Sequence, residues 1–408
     1  MKILQVNKFY YLRGGAERYF FEIKEVLEER GHQVIPFSMH DARNEQSPYS
    51  KFFMSPIDYG GPMSLKTKFK AIPRVLFSME AKRKIDALIE ETKPDVAHLH
   101  NIAHHISPSI LYPLQKHHIP VVQTLHDYKL ICPTYRMLAK GKICERCKVN
   151  RFYNAILQKC NKGSLSASIL NCIEMSMHKI MGLYDTVGVF ISPSIFLKNK
   201  LVEHGVAEER IVHLPNILGI DDFTPQYDSC KNGYILYFGR VSHEKGLLTL
   251  IHAMKEIPDV QLKIVGEGPF TEHLKKCIEQ ERRINILLTG YLSGEDLKNT
   301  IRDSMFTVLP SEWYENYPYS ILESFALGKP VVGSRIGGIP ELIRHGETGL
   351  TFEAGNGEDL RSKIQELLKN PGVIREMGIR ARHVSEEILD ADIHSERLMK
   401  IYKKVAVK

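Results

Sequence analysis

The chain has 408 residues, 43% apolar and 25% charged, with a formal charge of +7. That length exceeds what one hydrophobic core organises, so two domains are expected. No apolar run reaches membrane-spanning length, and the N-terminus reads as a strand and loop rather than a signal peptide, so a cytoplasmic protein is the expectation.

The first half opens with KILQVNKF as a strand, YYLRGG as a loop and AERYFFEIKEVLEER as a helix. Phe20, Ile23, Val26 and Leu27 recur at helical spacing, and Gly31 is a suitable stop. QVIPFSM follows as the next strand, completing a βαβ unit. Residues 1–190 hold 27 Lys and Arg against 17 Asp and Glu, and the remainder 28 against 31. A basic first half suggests contact with something anionic. Ser64 to Ile85 (SLKTKFKAIPRVLFSMEAKRKI) concentrates this charge between apolar residues. It reads either as a membrane-surface element or as a solvated amphipathic helix broken near Pro73. No nucleic-acid-binding module accompanies the charge.

DVAHLH and PVVQTLH read as further buried strands, the second ending at His126. A lone histidine there is usually structural. Then come Cys132, Cys144-Glu-Arg-Cys147 and Cys160, in an insertion of about residues 130–165. Thiolates at C-x-x-C spacing with outlying cysteines can close a tetrahedral zinc site. Free thiols are the alternative, and a permanent disulfide is disfavoured in a cytoplasmic protein.

The second half alternates more clearly. YILYFGR, QLKIVG, INILLTG, FTVLP, PVVGS and GLTFEA read as strands separated by helical segments such as LLTLIHAMKEI and EDLRSKIQELL. Such alternation means a parallel sheet with helices on both faces. The expected fold is α/β, with two Rossmann-like lobes joined around residues 195–230 and a central interdomain cleft. The domains are read as 1–205 and 206–385, with a C-terminal helix at 386–408 packing back on the first. The first strand–loop–helix lacks G-x-G-x-x-G, which argues against a nicotinamide enzyme.

The most informative stretch is SEWYENYPYSILESFALGKPVVGSRIGGIPELI, in which Glu315 and Glu323 flank a helix start at Pro318. Proline suits the first helical position, and the free N–H groups there favour an anion. Two carboxylates around such a point can grip both ends of an elongated ligand with phosphate in its middle, as in a nucleotide sugar. Arg240 and Lys245 follow another strand; taken alone, two loop cations are usually surface charges.

GGAERYF, GRVSHEKG, IVGEGP and ENYPYSILESFALGKPVV, in this order and spacing, resemble family 4 of the glycosyltransferases. These are retaining enzymes with the two-lobed GT-B fold, and the likeness spans nearly the whole chain. It implies that Arg240 and Lys245 bind the donor diphosphate, stabilising charge on the leaving group without a divalent metal. Glu315 would contact the transferred sugar, and Glu323 the ribose hydroxyls. Tyr319 and Ser320 would offer backbone N–H groups to the phosphates. Gly337 and Gly338 either let backbone approach the nucleotide or simply turn before a helix. Gly15 either lies near donor phosphate or acceptor, or only serves a turn. His126 would orient sugar or acceptor without acting as base. The one D-x-D, Asp390-Ala-Asp392, falls in the C-terminal helix and reads as incidental.

Two departures from the family pattern matter. Ile217 and Leu218 follow Asn216 where the family commonly has glycine, and Asn316-Tyr317-Pro318 stands where many members carry a glycine, so sugar specificity does not transfer. The implied activity is transfer from a nucleoside-diphosphate sugar to a glycan or lipid-linked acceptor, in bacterial surface polysaccharide or glycolipid biosynthesis at the inner membrane face. The competing readings are a nucleotide-sugar 2-epimerase and a non-catalytic sugar-nucleotide-binding protein.

Overall fold

The computed structural model describes residues 1–57, 72–228, 233–280 and 285–406. The chain divides into two compact units. The first comprises Met1–Lys140, Cys144–Ile217 and Ala391–Lys408; the second comprises Gly141–Ile143 and Leu218–Asp390. The change of unit falls after Ile217 because Ile211–His213 is still a strand of the first sheet.

The first unit is built on a six-stranded parallel sheet. Its strands are β1 (Lys2–Val6), β2 (Gln33–Phe37), β3 (Val96–Leu99), β4 (Val121–Thr124), β5 (Val189–Ser192) and β6 (Ile211–His213). Their spatial order is β2-β1-β3-β4-β5-β6. Helix α1 (Gly15–Glu29) buries Tyr19, Phe20, Ile23, Val26 and Leu27, the stripe expected from helical spacing. It stops where Gly31 turns left-handed at φ 75°, and the His32 N–H returns to the Leu27 carbonyl at 3.0 Å.

Helix α2 (Met79–Thr92) starts at Ser78, whose hydroxyl accepts the Ala81 N–H at 3.1 Å. Of the Ser64–Ile85 segment, the stretch up to Ala71 lies outside the described residues. Among the described residues, no helix is long and apolar enough to cross a membrane.

The C-terminal helix Ala391–Ala406 belongs to the first unit and inserts polar contacts into its core. His98 on β3 lies 2.7 Å from the Tyr402 hydroxyl and 2.7 Å from the Thr124 hydroxyl. Tyr19 reaches His394 at 3.2 Å. Asp392 pairs with Arg30, so the D-x-D sequence supplies a structural ion pair.

The second unit carries β7 (Ile235–Phe238), β8 (Leu262–Val265), β9 (Ile286–Gly290), β10 (Phe306–Leu309), β11 (Val331–Ser334) and β12 (Gly349–Phe352). Their order, β9-β8-β7-β10-β11-β12, is that of a doubly wound dinucleotide-binding sheet. Alternation along β7 sends Ile235 and Tyr237 into one core and Leu236 and Phe238 into another, so both faces are covered. The connections reverse direction between β7 and β10. The loops leaving those two strands therefore border the point where open α/β sheets bind ligands.

Burial sets the pH response of the first unit. It pushes His98 and His394 down to about 3 and His100 well below the usual histidine range. Unfolded histidine titrates near 6.5, so His98 and His394 contribute stability above that pH and lose it as pH falls towards about 3, and His100 acts in the same direction. Each costs up to about 1.4 kcal/mol per pH unit across that window. The thermal midpoint measured by calorimetry should drop steadily between about pH 7 and about pH 5; a flat profile there would contradict this account.

Candidate active site

In the second unit, three loops at the carboxyl edge of the sheet converge on Glu315. Lys245 ends a short turn, His243–Lys245, after β7. Its ammonium donates to Glu315 Oε1 at 2.5 Å. The Ser311 hydroxyl donates to the same oxygen at 2.6 Å, and the Trp313 indole N–H at 2.9 Å. Oε2 takes none of these bonds. The Glu315 side chain is 8% exposed, so its charge is held by a cation and two neutral donors rather than by water. The Lys245 ammonium also lies 5.7 Å from the centre of the Trp313 ring system.

Two glycines let the loops approach this closely. Gly246, at φ 68°, would place a Cβ 1.9 Å from the Pro310 carbonyl oxygen. Gly337, at φ 59°, would place one 2.3 Å from the Glu315 carbonyl oxygen. Gly338 then donates its N–H to that carbonyl at 2.8 Å. What the structure shows at Gly337 and Gly338 is thus an approach to the Glu315 backbone, followed by the turn into helix Ile339–Leu342.

Arg240 is exposed and makes no ion pair among the described residues. Helix α4 (Tyr319–Ala326) begins one residue later than the sequence reading had it. Pro318 is the N-cap at φ −73° and ψ 120°, and Tyr319 is the first helical residue. No side chain caps this start, which leaves the first turn, with Tyr319 and Ser320, suited to an anion. Glu323 lies further along the helix and is buried, at 8% exposure.

In the first unit, α1 begins at Gly15 after an extended Gly14, again with no side-chain cap. His126 follows β4 and lies 3.1 Å from His100, their rings stacked at 5.4 Å. Burial, helped by the Lys8 charge, pushes His126 down to about 3, so the ring is neutral near pH 7. A neutral imidazole can orient a hydroxyl but brings no fixed charge.

His126, His100, Lys8, Asp127, His104 and Lys129 all line one cavity. Behind it, Glu174 on helix α3 (Leu165–Ile180) holds Lys129 at 2.7 Å and His104 at 3.0 Å. Burial works against the Glu174 charge, but Lys129 and His104 outweigh it and hold the carboxyl at about 2. His100, Lys129 and Glu174 escaped the sequence reading. Glu174 gave no local signal, because its partners lie 45 and 70 positions away. Cys132, Cys144, Cys147 and Cys160 are free thiols around a different cavity.

Two family descriptions match most of the chain. The description "Glycosyltransferase Family 4" matches residues 13–221, and "Glycosyl transferases group 1" matches residues 225–384. A sulfoquinovosyl transferase of Arabidopsis thaliana is 29% identical over 50% of the chain, which spans only 42% of that protein's length. An uncharacterised 42.6 kDa protein of the Klebsiella pneumoniae cps region is 25% identical, over 84% of this chain and 88% of its own. Anabaena HepE, solved with UDP and glucose, superposes with a TM-score of 0.70, covering 99% of this chain and all of its own at 17% identity. That likeness establishes the GT-B fold. With residues 13–221 matching one description and residues 225–384 the other, the chain belongs to glycosyltransferase family 4.

Proposed function

We propose that the protein transfers a sugar, with retention of configuration, from a nucleoside-diphosphate sugar to a glycan or lipid-linked acceptor. The observation that carries this is the Lys245–Glu315 pair at the reversal point of the second sheet, beside the uncapped start of α4. In this reading the second unit holds the donor and the first the acceptor. Arg240, Lys245 and the α4 N–H groups stabilise the diphosphate as the bond from the anomeric carbon to phosphate oxygen breaks. The acceptor hydroxyl attacks from the same face, and its proton passes to the departing phosphate oxygen. Glu315 Oε2 binds the transferred sugar, Glu323 accepts from the ribose hydroxyls, and neutral His126 orients the acceptor.

No resident cofactor is needed in this scheme. The Klebsiella relative lies in a cps region and the Arabidopsis one carries a sulfoquinovosyl transferase name, which supports an acceptor in surface polysaccharide or glycolipid synthesis. HepE with UDP and glucose supports a UDP-sugar donor. The excess of basic residues in the first half supports work at an anionic membrane face.

Replacing Arg240 and Lys245 together by alanine should lower kcat/KM by roughly 100-fold or more, because charge developing on the diphosphate loses its partners. Unchanged turnover would defeat the assignment. Glu323→Gln should raise the donor KM by roughly tenfold with a smaller change in kcat, as ribose binding is shared by ground and transition states. Trp313 is the chain's one tryptophan. Its fluorescence should respond to UDP at saturable concentrations, and the response should vanish in the Arg240/Lys245 double variant. Conversion of UDP-N-acetylglucosamine with no acceptor present would favour the epimerase instead.

A further inference from the structure

Four cysteines come together in a segment with little else to hold it. Cys132, Cys144, Cys147 and Cys160 line a single small cavity, together with His204. Cys132 is buried and the other three are partly buried, all of them as free thiols. The longest helix between Cys132 and Cys160 is the single turn Asn154–Leu157. The local apolar cluster is thin: Phe152, Cys172 and Met175, with Cys147 and Ile156 against it.

The backbone here is also unusually strained. Of the eleven non-glycine residues at positive φ among the described residues, seven fall between Tyr135 and Lys162. They include Met137 at φ 49° and the β-branched Val149 at φ 55°. A residue with a Cβ is disfavoured in this region and stays there only when its surroundings impose it. The small cluster around Phe152 supplies few such contacts, so a stronger cross-link is called for. The sulfur of Cys132 is already held in place: it accepts the Met137 N–H at 3.4 Å and lies 3.5 Å from the Thr134 hydroxyl.

We propose that Cys132, Cys144, Cys147 and Cys160 bind one zinc ion as a structural tetrathiolate that fixes the turns of this segment. Each thiol releases its proton to solvent as its sulfur–zinc bond forms. No three of these sulfurs lie within 4.8 Å of one another, whereas a tetrahedral site has metal–sulfur bonds of about 2.3 Å. Binding therefore draws the four sulfurs closer together. The group that does meet that spacing, Asp86, Glu90 and His117, is a weaker candidate. Lys116 already neutralises it, 3.1 Å from Asp86 and 4.0 Å from Glu90.

The test is metal analysis of the full-length protein after purification without chelator. About one zinc per chain is expected, lost in Cys147→Ser and retained in Cys277→Ser, whose cysteine lies in the second unit. Should Cys147→Ser fail to fold, cobalt added to chelator-stripped wild type gives the answer, because thiolate ligation produces intense charge-transfer bands. No zinc, no such bands and four thiols reacting freely in the native state would overturn the proposal. So would thiols recovered only after reduction, which would make the cross-link a disulfide.

Discussion

One carboxylate oxygen, Oε1 of Glu315, takes the Lys245 ammonium, the Ser311 hydroxyl and the Trp313 indole N–H together. A buried carboxylate is tolerable only when so compensated, and removal of one partner would leave charge stranded in a poorly solvated loop. Much else in the second unit serves this cluster. The strand order brings the loops after β7 and β10 side by side, and Gly246 and Gly337 remove the Cβ atoms that would keep them apart. The cation and the carboxylate thus arrive pre-positioned, with no rearrangement needed to bring them together.

The first unit handles charge differently. Its sequence is strongly basic, yet the cavity by His126 is not a simple cationic pocket. Lys129 is committed to Glu174, Asp127 adds a carboxyl, and the stacked histidines are kept neutral by burial. A lining that mixes donors and acceptors in this way suits hydroxyl-rich ligands better than a free polyanion.

All six strands of the second sheet were legible, because each is a short apolar run bounded by turn residues and spaced by a helix. In the first sheet, Val189–Ser192 and Ile211–His213 were missed. The first has four residues and no polar alternation; the second has three and lies within the stretch read as a linker. Arg240, Lys245, Glu315 and Glu323 were visible as motif residues, but motif reading assigned Lys245 and Glu315 to separate parts of a ligand and did not show that they touch. Gly337 illustrates the same limit. Its neighbour in space is a backbone about 20 positions earlier, which no local pattern reveals. Pro318 shows a smaller one, since proline is compatible with both the N-cap and the position after it.

The return of helix Ala391–Ala406 to the first unit bears on how the protein is made. Synthesis runs from the N-terminus, and domains generally fold as they emerge. Here the partners of His98 and Tyr19 follow the whole second unit in sequence, so the earlier unit has to wait, with part of its interior uncovered, until the later one has been made. Order of emergence and order of completion are reversed, and the nascent first unit depends on a helix made after the second to shield what was built first.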